Sequence, residues 1–448
     1  MRRIALLLLA VSSVGWGATR PHYGGTLKVA LRMTPMSLDP VSDNPYDGPA
    51  SRNLSRLIFD RLVVLDDRGS LQPSLATSWQ AEPGSQRWRF HLRKDVMCHD
   101  GTPLTSDVVA ASLRAANPSW KVFPFEDSVV IESDSASNLP VELTLIRYGI
   151  AKRSGAKIIG TGPYSISQFD PGKKLVLSAR DDYWDGRPFV DTIEVDLGRN
   201  LRDQMISLDV GKADVVEVAP EQARHASAEN RRIESSNPSE LMALVFARDP
   251  QSPDEARLRQ SLSLSIDRGS ISRVLFQSGA EPASGLLPEW MTGYEFLFQV
   301  SADASVARQA RGGARQSSPW NLSYDPSDPL ARVVAERIAL NARDAGLSLQ
   351  LATAGAADVR LSRLPLVSLD DRLALSRLAT MAGLPTVKTG DSIEDLYSAE
   401  SSLLNSQRII PLLHIRTSYG IGRAVRNWSE SRDGAWHLDD TWLSAEKP

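Results

Sequence analysis

The sequence predicts an α/β fold with more than one hydrophobic core, on three observations. Strand and helix signals alternate: a strand, a turn and a helix follow one another over residues 88–109, and a helix runs directly into a strand over 327–351. The chain has 448 residues, whereas one core stops growing at about 250 to 300. Apolar residues recur at both strand and helix spacing, as packed layers of helix and sheet require.

Taken in order, Gly24-Gly25-Thr26-Leu27-Lys28-Val29-Ala30-Leu31 alternates into a strand that Ser37-Leu38-Asp39-Pro40 breaks. Leu54, Leu57, Ile58 and Leu62 recur at helical spacing, and Asp66-Asp67-Arg68-Gly69 closes that segment. Trp88, Phe90 and Leu92 alternate with Arg89 and His91, which puts the apolar side chains on one strand face. Asp100-Gly101 is then a turn, and Thr105 or Ser106 caps a helix whose first turn carries Asp107, a favourable place for negative charge.

Gly160-Thr161-Gly162-Pro163-Tyr164 lacks the Lys-Ser/Thr that phosphate cradling needs and reads as a turn between strands. A strand at Leu175-Val176-Leu177 and the phrase Asp182-Tyr183-Trp184-Asp185-Gly186 follow. Ser252-Pro253-Asp254-Glu255 starts a helix with a capping box, and Leu258, Leu262 and Ile266 mark its inner face. The stretch 308–318, rich in Gly, Ser, Gln and Arg, reads as a loop. Ser327-Asp328-Pro329 opens a helix with Leu330, Val333, Val334 and Ile338 inward; after Gly346, Leu347, Leu349 and Leu351 alternate as a strand.

At the amino terminus, Arg2 and Arg3 precede the apolar run Ile4-Ala5-Leu6-Leu7-Leu8-Leu9-Ala10-Val11, and Gly15 and Gly17 frame a cleavage ahead of Ala18. The run falls short of the roughly 20 residues a bilayer span needs, so a cleaved signal peptide over 1–17 is expected. No cysteine lies near the cut, so no lipid anchor is expected there and the mature chain is expected free in the periplasm. Cys98 is the single cysteine, so the cores hold the fold without an intrachain disulfide. A net charge of -3 gives no basic excess for nucleic acid.

Catalytic chemistry finds little support. The 6 histidines never stand four apart as in a helical zinc site, and no Gly-x-Ser-x-Gly elbow or Gly-rich Lys-Ser/Thr loop occurs. No cofactor and no resident metal are called for.

The segment from Trp88 through His99-Asp100-Gly101-Thr102-Pro103-Leu104 to Asp107-Val108 resembles the signature of the family 5 extracellular solute-binding proteins, the dipeptide, oligopeptide and nickel receptors of ABC importers. The Gly-Gly start, Ser37-Leu38-Asp39-Pro40, Leu71-Gln72-Pro73-Ser74-Leu75-Ala76 and the block from Gly160 to Val215 are similar in order and spacing.

The resemblance implies a periplasmic-binding-protein-like α/β fold of three lobes with a hinged ligand cleft. Lobe I would comprise 18–45, 157–240 and 405–448, lobe II 46–156, and lobe III 241–404. It implies a non-enzymatic, monomeric receptor that delivers a peptide-like small solute to an inner-membrane ABC permease. The cleft would be lined by Arg32, Met33 and Thr34 after the first strand, and by Arg416, Thr417, Ser418 and Tyr419. A metal-chelate receptor using His414 is a rival; so is a cleft hydrolase, against which the missing nucleophile and base pairs count.

One departure concerns lobe III. Peptide-binding members carry a Gly-Trp-x-x-Asp-like segment whose acid pairs with the peptide amine, and 354–385 here is shortened and lacks it. Asp370 or Asp371, after Leu366-Val367-Ser368-Leu369, would replace that acid, or else start a helix before Arg372-Leu373-Ala374-Leu375.

Overall fold

The computed structural model describes residues 20–42, 48–134, 138–155, 157–298, 301–352, 356–387 and 389–444. The expected signal sequence, 1–17, lies outside them. Among the described residues no helix is long and apolar enough to cross a membrane.

Two long antiparallel strands, Arg232–Phe246 and Ile409–Ile421, form the spine of an 11-stranded sheet. On one flank stand Val215–Val218, Thr26–Ala30, Thr192–Asp196, Lys174–Ala179 and Tyr164–Asp170, in that order. On the other stand Val359–Pro365, Trp320–Ser323 and Leu349–Ala352, while Ala280–Pro282 adds to Ile409–Ile421. The spine's register shifts between Ser235 and Pro238 and again between Pro238 and Glu240. Pro238 has no N–H to give the ladder, so a bulge and a local twist form where one flank gives way to the other.

Separate cores lie on the two sides of that break. Leu27, Val29, Leu175, Leu177, Ile193 and Val195 pack with Tyr419, Trp428 and Trp436 of the carboxy-terminal segment. Met242, Leu244 and Phe246 pack with Leu258, Leu262, Val334 and Ile338 beyond the break. Strand alternation explains the first set, since Leu27 and Val29 are buried and Lys28 between them is exposed.

A third core belongs to a four-stranded antiparallel sheet, ordered Ala76–Ala81, Arg87–Leu92, Ser128–Glu132 and Lys121–Phe125. Phe90 and Leu92 point into it, and helix Ser106–Ala116 covers it with Val109, Ala110 and Leu113. Thr105 caps that helix by accepting from Val108 N.

Three local outcomes differ from the sequence reading. Helix Pro49–Ile58, expected inside lobe II, packs Ala50, Leu54, Leu57 and Ile58 into the core of the amino-terminal strand. The stretch expected as a loop begins as helix Ala304–Arg311, because Asp303 accepts from Ser305 N and Val306 N and Gly312 closes the last turn. Ser252 does cap Pro253–Ser265 through Glu255 N at 3.1 Å, but the Glu255 carboxylate returns to Gln251 N at 2.9 Å rather than to the cap.

The elements beyond the break are closed against the four-stranded sheet. Leu373 sits in the core of the four-stranded sheet, Arg377 pairs with Glu142, and the Arg52 guanidinium donates to Leu366 O at 2.8 Å.

Candidate functional site

The signature motifs interlock at the seam between the first core and that of the four-stranded sheet. His99 N donates to Gly160 O at 2.9 Å, Gly160 N donates to His99 Nδ1 at 3.3 Å, and His99 Nε2 donates to Gly162 O at 3.1 Å. The carbonyl can only accept and the amide only donate, so the ring is neutral with its proton on Nε2. Burial pushes its pKa down to about 4. The glycines allow the approach: a Cβ on Gly160 would lie 1.9 Å from Ile58 O, and one on Gly162 2.7 Å from Leu57 O. From the later phrase, Tyr183 Oη donates to Asp60 at 2.9 Å and Trp184 Nε1 at 3.1 Å. Burial raises the Asp60 carboxyl, and those two donors work against the rise. The His99 ring and the Asp60 carboxylate both find partners within the seam, which makes it a fastening rather than a reaction centre.

The side of the molecule beside the spine bulge is different. A cavity of ≈ 350 Å³ is bounded by spine residues 234–237, by 428–432 of the carboxy-terminal segment, and by Asp67. Small-molecule sites occupy about 300 to 1,000 Å³. The segment after Val359–Pro365 approaches it, since Gly69, in the same turn as Asp67, lies against Leu369 O.

A tight hairpin builds one wall. Ser431 N donates to Ala435 O at 2.8 Å, Gly434 N donates to Ser431 O at 2.9 Å, and Glu430 pairs with Trp436 as an antiparallel bridge. Behind it, the Asp433 carboxylate accepts from Arg56 at 2.9 Å and lies 3.6 Å from Arg52. Burial opposes its charge, but the two guanidinium groups hold it well below the usual carboxylate range.

Glu430 has no such support. Its Oε1 accepts from Trp428 Nε1 at 3.1 Å, and its buried Oε2 has no hydrogen-bond partner among the described residues. Burial pushes its pKa up to about 7; the Trp428 donor works against this, and the charges of Glu234 and Asp433 add to it. Arg432, exposed on the same wall, forms no ion pair among the described residues.

The residues expected to line a cleft fall in separate places. Ser418 and Ser235 share a hydroxyl contact of 2.8 Å, Thr417 N donates to Ser236 Oγ at 3.2 Å, and Arg416 donates to Ser236 O at 3.2 Å while pairing with Glu281. These three stand directly behind the cavity wall. Tyr419 does not line it: its ring is wholly buried, 5.3 Å from Trp436 and 6.2 Å from Trp428. Arg32 N donates to Glu217. Met33 lines a pocket of ≈ 40 Å³ with Leu38, Leu54 and Ile58, and Thr34 packs beside Gly172 and Gly198.

Asp370 is the N-cap of helix Asp371–Met381, accepting from Leu373 N at 2.8 Å, and Asp371 pairs with Arg372 at 3.0 Å. The helix start, not a free charge, is what this pair makes. His414 is also committed, with Nδ1 3.4 Å from Glu295 and Nε2 3.4 Å from Leu286 O beyond the break. Among the described residues no cluster of three or more His, Cys, Asp or Glu could hold a metal. The cavity hairpin, 428–434, was missed by sequence reasoning; its one signal was a Trp, Ser and acid cluster near the end of the chain.

The model of the bacterial extracellular solute-binding proteins, family 5, matches residues 70–365. The chain belongs to this family. Family 5 members are binding proteins rather than enzymes. The chain is 24% identical over 349 residues to the probable D,D-dipeptide-binding periplasmic protein DdpA of Escherichia coli K12, covering 68% of itself and 65% of that relative, just under two thirds. Among solved structures it is similar to NikA of Staphylococcus aureus in complex with Ni(L-His)2, with a TM-score of 0.79, 16% identity and coverage of 94% and 100%. AppA of Bacillus subtilis, an oligopeptide-binding protein in complex with a nonapeptide, gives 0.78 and 15%, covering 95% and 100%. These likenesses establish the fold as that of periplasmic binding proteins.

Proposed function

We propose that this family 5 protein is the periplasmic receptor of an ABC import system and carries a peptide-like solute to an inner-membrane permease. It acts by enclosure and not by chemistry. The spine carries the reading: two long strands pass between two separately packed cores, and their ladder is broken at Pro238 beside a cavity. Two lobes joined so can open and close about a few residues while each core moves as a body. Lobe I would take 18–45, 157–240 and 405–448, lobe II 46–156, and lobe III 241–404, with helix Pro49–Ile58 moving with lobe I. Relatives that bind dipeptides and oligopeptides support a peptide-like solute. A metal chelate is the weaker reading, because the imidazole suited to it, His414, is used inside lobe III.

Native mass spectrometry of gently purified protein, followed by thermal melts against free di- and tripeptide libraries, tests this. A ligand at 100 times its Kd should stabilise by about 2.7 kcal/mol, and the peptide mass should be unchanged after incubation. Cleaved peptide would replace the receptor with a hydrolase; no shift with any library would remove peptides as the solute.

A further inference from the structure

We propose that Glu430 is the anchor for a positively charged nitrogen of the solute, bound in the cavity between the spine bulge and the 428–434 hairpin. The inference rests on the receptor reading above and adds the group by which the solute is held.

Three observations carry it. First, Glu430 lines a cavity large enough for a small solute, on a hairpin fixed by its own backbone hydrogen bonds, so the carboxylate is held in place before anything binds. Second, only one of its two oxygens is satisfied: Trp428 donates to Oε1, and Oε2 is buried without a partner. A buried carboxylate in this condition is costly unless something supplies a donor.

Third, the neighbouring charges do not supply one: Arg432, on the same wall, is exposed and makes no ion pair with it. The acids nearest to it, Glu234 and Asp433, repel it and already have arginines, Arg232 for the first and Arg52 and Arg56 for the second. Glu221 makes the contrast. It too has a buried oxygen without a partner among the described residues, but Arg363 and Arg32 are near enough to offset its charge. Glu430 is therefore a half-buried acid that forms no ion pair among the described residues. A primary ammonium brings three donors and one charge, and the hydroxyl-rich wall of Ser235, Ser236 and Ser429 offers acceptors for the remaining protons.

The test measures binding by calorimetry on the full mature chain and on Glu430→Gln, with three probes. These are free di- and tripeptide libraries, the same libraries N-acetylated, and putrescine as a cation without a peptide bond. Free peptides should bind at least about tenfold better than acetylated ones, and Glu430→Gln should weaken the free form by about 30-fold or more and erase the preference. Glu430→Asp keeps the charge and should retain part of it.

If Glu430→Gln fails to fold, Glu430→Asp decides, by weakening free peptides and leaving acetylated ones unchanged. Equal binding of free and acetylated peptides overturns the proposal and leaves the receptor reading intact. So does a preference that survives in Glu430→Gln. Putrescine binding lost in Glu430→Gln, with no peptide bound, supports the anchor and overturns the peptide reading. No binding of any probe overturns the anchor as well.

Discussion

The seam between the first core and the four-stranded sheet and the cavity beside the spine both bury polar groups in tight turns, yet they differ in one respect. In the seam, His99 is satisfied by Gly160 and Gly162, and Asp60 by Tyr183 and Trp184, so the signature motifs lock two cores together. In the cavity wall, Asp433 is held by two arginines while Glu430, three residues earlier, keeps one oxygen without a partner. The difference teaches that the motifs by which the family is recognised mark its scaffold. The chemistry left for a ligand sits in a segment without any motif.

Breaking the seam should have the largest effect. Gly160→Ala would drive a methyl into Ile58 O, so we expect a loss of more than about 3 kcal/mol, or no folded protein, in a thermal melt. Next is Asp433→Asn, which removes the carboxylate shared by Arg52 and Arg56 and should cost about 3 kcal/mol, read by urea unfolding.

The two regions should also respond to pH with opposite signs. His99 has a folded pKa below its unfolded value, so its contribution is complete above pH 6.5 and is lost as pH falls towards 4, by about 2 to 3 kcal/mol. Glu430 has a folded pKa raised to about 7, so its contribution is present below about pH 4.5 and is lost as pH rises through 7. Stability curves from pH 4 to 8 should therefore be flatter on the acid side for His99→Asn. They should be higher by about 2 kcal/mol on the alkaline side for Glu430→Gln. A Glu430→Gln curve parallel to that of the unsubstituted protein would mean that the carboxylate is not strained.

The smallest effect belongs to Asp370→Ala, which removes a helix cap and should cost about 1 kcal/mol in a melt. It should leave the preference for free over acetylated peptides as it was.

What was legible in the sequence follows from how local each signal is. Alternation placed Trp88, Phe90 and Leu92 on a strand, and caps and spacing placed Pro253–Ser265 and Pro329–Asp344, because those signals span a few residues. Helix Ala304–Arg311 was hidden because Ala307 is its single buried residue, too little for an apolar stripe. The membership of Pro49–Ile58 was hidden because its apolar face fits any core, and only the folded chain shows that it meets Leu27 and Tyr164. Asp370 reads in sequence both as a charge partner and as a helix start, and its bond to Leu373 N shows the start. Glu430 carries no local sign of its role. Its burial and its cavity come from residues 234–237, brought beside it by the pairing of Arg232–Phe246 with Ile409–Ile421.

Solution scattering on the mature protein, with and without the free peptide that raises its melting temperature most, tests the hinged receptor most directly. Enclosure predicts that the radius of gyration contracts when the peptide is bound and returns when it is dialysed away. A bound peptide with an unchanged radius would contradict the account.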